Sequence, residues 1–180
     1  MSSFRIQVAF LLLFGTLLEA GLPKGLVLIV LFTSNKPNSF ILNKATKNAY
    51  KLMYQSATWP VARDTCNELG AHLAVPRSQE EFFFIQKLVR GMHYPSINGT
   101  DNKLVVWLGI NNLEDYTIWR NIYGKILLQN LLKYYYFISS NAPEEPHCGA
   151  IDAANPGLRD YWCHRSQPYI CQIDLIRNNQ

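Results

Sequence analysis

Residues 148–171 read Cys148-Gly-Ala-Ile-Asp-Ala-Ala-Asn-Pro-Gly-Leu-Arg-Asp-Tyr-Trp-Cys163-His-Arg-Ser-Gln-Pro-Tyr-Ile-Cys171 and hold three of the chain's four cysteines. Two short apolar pieces, Cys148-Gly149-Ala150-Ile151 and Tyr169-Ile170-Cys171-Gln172, read as strands on either side of a polar display loop. The fourth cysteine, Cys66, lies far upstream. Four cysteines admit three disulfide pairings, and the residues alone leave all three open.

Whether those cysteines oxidise depends on the compartment, and the N-terminus speaks to that. Arg5, an apolar run from Ile6 to Leu18, and Glu19-Ala20-Gly21 follow the charge, apolar and small-residue order of a secretory signal peptide, with cleavage expected near Ala20. A second apolar run, Leu26 to Phe32, raises the rival of one spanning helix over residues 6–32. That helix would place Glu19 and Lys24 in hydrocarbon at roughly 2.5–3.5 kcal/mol each, so the cleaved leader is preferred, with no membrane span after cleavage. Secretion into an extracellular fluid favours disulfides over reduced or metal-bound thiols. The rival Cys₂His₂ zinc site from His147-Cys148 and Cys163-His164 is disfavoured further because adjacent residues rarely both reach one tetrahedral ion.

Over the whole chain, 48% hydrophobic and 13% aromatic residues supply a core and exclude a mostly disordered chain. The net charge of +4 is unchanged by removing the leader, since Arg5 and Glu19 cancel. Lys and Arg are scattered rather than gathered in a stripe, which argues against nucleic acid as a partner. Residues 33–48, rich in Asn, Lys and Ser, read as an extension with little regular structure. Tyr50-Lys51-Leu52-Met53-Tyr54 alternates as an entering strand. Trp59, Ala62, Cys66 and Leu69 share one helical face, with Pro60 in the first turn and Gly70 as the stop. Ser78-Gln79-Glu80-Glu81 predicts a capping box opening a second helix with Phe82, Phe83, Phe84, Ile85, Leu88 and Val89 on a broad apolar face.

The stretch from Gly91 to Lys103 is a polar excursion carrying Asn98-Gly99-Thr100, the one N-glycosylation triplet, and so predicts a glycoprotein modified at Asn98. Leu104 to Ile110 reads as a strand buried on both faces, and Thr117-Ile118-Trp119 as another, ending in a turn at Gly124. The tyrosine-rich segment from Ile126 to Ile138 has no readable period, and Ser139 to His147 reads as a polar loop.

Taken together, Cys66-Asn67-Glu68-Leu69-Gly70-Ala71-His72-Leu73-Ala74, the buried Trp107-Leu108-Gly109-Ile110, Cys148-Gly149-Ala150-Ile151, Asp160-Tyr161-Trp162-Cys163 and Tyr169-Ile170-Cys171 resemble the C-type lectin-like domain over about residues 50–173. In detail the chain looks like insect humoral lectins of the hemolymph lipopolysaccharide-binding group, where a Gly-Leu-Asn-Asp-like run precedes the third cysteine as Gly157-Leu158-Arg159-Asp160 does here. The resemblance implies an α+β fold of two helices flanking small antiparallel sheets, a long ligand loop, and disulfides Cys66–Cys171 and Cys148–Cys163. The expected organisation is a signal peptide at 1–20, an N-terminal extension at 21–49, the domain at 50–173 and a tail at 174–180.

The resemblance also implies a candidate site. Calcium-dependent members bridge sugar hydroxyls through an ion held by hard oxygen donors on two loop triplets, and Ca²⁺ needs six to eight such ligands. Here the candidate loop residues are Glu144, Glu145, His147, Arg159 and Asp160, with Glu145 and Asp160 the candidate metal ligands. Both triplets depart from the pattern. Glu145-Pro146-His147 puts imidazole where an amide or carboxylate belongs, and Leu158-Arg159-Asp160 puts a cation beside the ion. Tyr161, Trp162 and Tyr134 to Tyr136 are candidate stacking faces for a sugar ring, with core burial as the competing role. The expected function is a secreted, non-enzymatic lectin of hemolymph or a secretory fluid that binds a bacterial glycan or lipopolysaccharide in innate immune recognition or its modulation. The alternative is a lectin-like domain with a degenerate calcium site that binds a protein. No serine elbow, paired-carboxylate cleft or Gly-rich phosphate loop points to catalysis, and His72 and His93 read as incidental.

Overall fold

A computed structural model describes residues 39–127 and 144–175. Strands β1 (Ile41–Asn43), β2 (Asn48–Ala57), β3 (His72–Leu73), β4 (Val105–Asn111), β5 (Arg120–Asn121), β6 (His147–Asp152), β7 (Leu158–Trp162) and β8 (Gln167–Asp174) accompany helices α1 (Trp59–Glu68) and α2 (Gln79–Arg90). They form one eight-stranded sheet in the order β1-β2-β8-β4-β6-β7, with β3 added on β8 and β5 on β4. Every pairing is antiparallel except the contact of β4 with β8 at Trp107 and Tyr169. The α+β class, the two helices and both disulfides agree with expectation.

The continuous apolar run of β4 is explained by two cores, one on each face of the sheet. Successive residues of a strand point to opposite faces. Val106, Leu108 and Ile110 of β4 join Ile170 of β8, Ile151 and Leu158 against Phe82, Ile85 and Val89 of α2. Val105 and Trp107 join Tyr169 and Cys171 against Trp59, Ala62 and Cys66 of α1. The Trp59 and Trp107 indoles donate from Nε1 to the carbonyls of Leu108 (2.7 Å) and Ala57 (3.0 Å), so neither buried ring carries an unsatisfied N–H. Gly109 is required by close approach: a Cβ there would stand 2.7 Å from the Leu73 carbonyl oxygen and 2.8 Å from Val75 Cγ2.

Cys66 of α1 bonds Cys171 of β8, tying a helix to the sheet centre across 105 residues, while Cys148 of β6 bonds Cys163 just beyond β7, across 15. The sulfur that a zinc site would need is consumed by the second bridge.

Several expectations are corrected. Residues 41–43 are not irregular but form β1 on β2, turning through Asn43, whose Oδ1 accepts from Ala45 N at 3.1 Å. Leu69 is 42% exposed rather than inward, because α1 ends at Glu68 and the chain turns at Gly70, whose φ of +67° suits glycine. Phe83 is 54% exposed, since three consecutive phenylalanines cannot share one side of a helix advancing about 100° per residue. Residues 117–119 form no strand. Asp115 Oδ1 accepts from both the amide (2.9 Å) and hydroxyl (2.7 Å) of Thr117, an Asx turn that delays pairing until Arg120.

The capping box is half as expected. Ser78 Oγ accepts from Glu81 N at 3.2 Å, but the Glu81 carboxylate does not return to Ser78. It accepts from Arg77 N (2.8 Å), from Asn48 Nδ2 (2.7 Å) and from the Tyr50 hydroxyl, anchoring the start of α2 to β2. Burial, followed by the hydrogen bond and charge of Glu81, raises the Tyr50 phenol far above its ordinary value and keeps it neutral.

Candidate functional site

The display loop is itself largely a hairpin. β7 pairs with β6 in the register His147–Trp162, Cys148–Tyr161, Gly149–Asp160, Ala150–Arg159 and Ile151–Leu158. His147, read as the end of a polar loop, instead opens β6 and is 2% exposed. Its backbone is clamped by Asn112: His147 N donates to Asn112 Oδ1 (2.7 Å), and Asn112 N donates to the His147 carbonyl (3.1 Å). Asn112 Nδ2 also donates to the Tyr116 carbonyl at 2.7 Å. One buried asparagine therefore closes the base of the loop that leaves β4 and returns at β6. Sequence reading missed it, although Asn111-Asn112 directly after a buried strand is a turn signal.

At the mouth of this hairpin, Trp162 is 38% exposed, and its Nε1 donates to Glu145 Oε2 at 2.7 Å. The His147 ring lies 6.0 Å from the Trp162 ring, and His147 Nδ1 is 2.9 Å from the Glu145 carbonyl oxygen. Glu145 is thus held at the edge of an outward-facing indole. Tyr161, on the opposite face of β7, packs its ring 6.1 Å from that of Trp107 and lies half-buried against the core. Of the two candidate stacking residues among the described ones, Trp162 is the exposed one; Tyr134 to Tyr136 lie outside the described residues. Glu144 is exposed on the turn before β6.

Alternation separates the remaining candidates. Asp160 lies on the face of His147, Gly149 and Trp162, whereas Arg159 lies on the face of Ala150 and Tyr161. Arg159 Nη1 donates to Asp152 Oδ2, and the Asp152 side chain is 4% exposed. Asp152 Oδ1 also accepts from Ala154 N (2.7 Å) and Asn155 N (3.3 Å). Burial pushes the Asp152 carboxyl up, but these amides and the Arg159 guanidinium outweigh it and hold the group below the ordinary carboxylate range. Asp152 was absent from the sequence reading. Its signal was the Asp-Ala-Ala-Asn-Pro-Gly run, which marks an Asx-type hairpin turn.

The fit of Ca²⁺ to the candidates follows from these contacts. Glu145 Oε2 accepts from an indole N–H, His147 is buried, and Asp160 shares the face of Trp162 while Arg159 pairs with Asp152 on the other. Among the described residues, no three His, Cys, Asp or Glu side chains gather to hold a metal ion. Among the described residues, Glu145 and Asp160 are therefore joined by no third such side chain, fewer donors than the six to eight oxygens that Ca²⁺ needs.

Comparison with known proteins agrees with the fold. The family model of the Lectin C-type domain matches residues 55–173, more than half of the chain. The hemolymph lipopolysaccharide-binding protein of Periplaneta americana is 27% identical over 130 residues, covering 70% of this chain and 49% of that protein. The chain therefore spans about half the length of that curated relative. The mouse scavenger receptor C-type lectin carbohydrate-recognition domain superposes with a TM-score of 0.58 at 19% identity, covering 77% of this chain and 95% of that one. The C-type lectin domain of murine dendritic cell inhibitory receptor 2, solved in complex with N-glycan, superposes with a TM-score of 0.55 at 21% identity, covering 71% and 91%.

Proposed function

The chain belongs to the C-type lectin domain family, and from that premise we propose that it is a non-enzymatic carbohydrate-binding protein whose ligand is a bacterial surface glycan such as lipopolysaccharide. The observation that carries the reading is the exposed Trp162 with the Glu145 carboxylate fixed at its edge. A flat apolar face covers the C–H side of a sugar ring, and a carboxylate beside it accepts from ring hydroxyls. Because no third His, Cys, Asp or Glu side chain among the described residues joins Glu145 and Asp160 in a cluster, sugar capture here proceeds by stacking and direct hydrogen bonding, without an ion bridging those two carboxylates.

Secretion into hemolymph or a secretory fluid, after removal of residues 1–20, and a role in innate immune recognition complete the proposal. Two disulfides support an oxidising compartment, and no helix among the described residues is long and apolar enough to cross a membrane. The domain at 50–173, with flanking segments at 21–49 and 174–180, is the proposed organisation. Asn98 is proposed to carry an N-glycan: its side chain is exposed, while its backbone is pinned to β2 by bonds to Tyr54 O (3.0 Å) and Ser56 N (2.9 Å).

The test is retention on immobilised lipopolysaccharide and mannan, with and without EDTA, for the native chain, Trp162→Ala and Glu145→Gln. The expected result is chelator-insensitive retention, weakened about tenfold in each variant, as for loss of one stacking or hydrogen-bonding partner. Chelator-sensitive retention would overturn the metal-free mode. No retention on any glycan would overturn the carbohydrate reading and leave a protein ligand in its place.

A further inference from the structure

On the other face of β7, the polar excursion after Asn98 meets the β7–β8 turn around a cavity of about 200 Å³. Its walls include Thr100, Asp101, Asn102, Tyr161, Arg165 and Gln167. Gln167 opens β8 and is 2% exposed, yet its amide Oε1 is buried without a hydrogen-bond partner among the described residues. An acceptor hidden from solvent and left unpaired costs about 1–3 kcal/mol, so in a stable fold it calls for a donor that the described residues do not supply.

The other walls narrow what that donor belongs to. Asp101 and Arg165 are both exposed at the rim and carry opposite charges, so a simple anion is opposed by one and a simple cation by the other. Thr100 and Asn102 are engaged with each other, Asn102 N donating to Thr100 Oγ1 at 3.1 Å, which fixes the wall. Tyr161, half-buried, offers part of an aromatic ring. The volume is below the roughly 300–1,000 Å³ of sites for drug-sized ligands and suits one small ring rather than an extended chain. Acceptors, donors and an aromatic ring around so small a space match a neutral polyol, whose hydroxyls each donate and accept.

We propose that this cavity is a second, metal-free saccharide subsite that takes a single neutral pyranose, with Gln167 Oε1 accepting from a ring hydroxyl and Asp101 and Arg165 completing the set. The ligand class rests on the carbohydrate reading above; the site does not use Glu145 or Trp162. Two sources share this chemistry, a sugar of an external glycan and the innermost sugar of a glycan on Asn98, whose triplet supplies Gly99 and Thr100 to the wall.

The experiment follows the Gln167 side-chain amide by nuclear magnetic resonance in the full, oxidised chain in EDTA. Mannose, galactose, N-acetylglucosamine and, as a charged control, glucuronate are titrated in turn. At least one neutral sugar is expected to give a saturable shift at Gln167. That shift weakens about tenfold in Arg165→Ala and in Asp101→Asn, both surface changes, and is unaltered in Glu145→Gln. In the glycosylated chain, a Gln167 signal already displaced relative to Asn98→Gln, and refractory to added sugar, supports the same site with the chain's own glycan as occupant. No response at Gln167 in either form, a response indifferent to both rim substitutions, or preference for glucuronate overturns the proposal. The two readings fail separately. Retention on mannan through Trp162 with a silent Gln167 removes only the second subsite, and a Gln167 response without Trp162-dependent retention removes only the loop site.

Discussion

Replacing Arg159 with alanine tests the most consequential side-chain placement in the hairpin. If the guanidinium served a ligand at the surface, its loss would change binding and leave stability nearly intact. In this structure it pairs with Asp152, whose side chain is 4% exposed. Breaking a buried pair from one side costs about 3–5 kcal/mol because the other charge is stranded. Two features reduce that here: the Arg159 side chain is 33% exposed, and Asp152 keeps the amides of Ala154 and Asn155. A cost of about 2–3 kcal/mol follows, which for a domain of this size lowers Tm by about 6–12 °C. The assay is thermal unfolding of the oxidised protein at pH 7, with Asp152→Asn and the double variant completing a cycle. The double variant is expected to fall short of the summed single costs by about 1–2 kcal/mol. An Arg159→Ala cost below about 0.5 kcal/mol, or strict additivity, would refute the placement and return Arg159 to the ligand surface.

Stability should also fall in acid. Asp152 and Asp174 are both held below the ordinary carboxylate range. In each, burial opposes the shift and hydrogen bonds prevail, from Ala154 and Arg159 in one case and from Arg77 and Gln172 in the other. Groups with depressed folded values stabilise above their unfolded value, so Tm should hold down to about pH 4 and drop below it, with a shallower drop in Asp152→Asn. Replacing Cys66 and Cys171 together by alanine should cost about 4.7 kcal/mol and replacing Cys148 and Cys163 about 3 kcal/mol, from loops of 105 and 15 residues, as read by denaturant unfolding. Gly109→Ala should destabilise by about 1–3 kcal/mol, since its Cβ meets a backbone oxygen at 2.7 Å; an unchanged denaturation midpoint would contradict that packing.

The sequence alone was enough for local decisions whose cause is local. Pro60 and Gly70 bound α1, Ser78 caps α2, and the unbroken apolar run of β4 announces burial on two faces, because propensity, capping and hydrophobic period act within a few residues. The cysteine pattern, with the motifs around it, was sufficient to suggest the family and the pairing. Register across strands that meet from distant parts of the chain was beyond it. A shift of one residue in β7 would exchange Arg159 with Asp160 and Tyr161 with Trp162 between the faces, and nothing in their own neighbourhood sets that choice. The pairing with β6, held by the Cys148–Cys163 bridge and the Asn112 clamp on His147, decides it. Which residues of the display loop face outward and which are spent inside the protein is therefore a property of the assembled sheet, fixed by contacts between segments that no local pattern records.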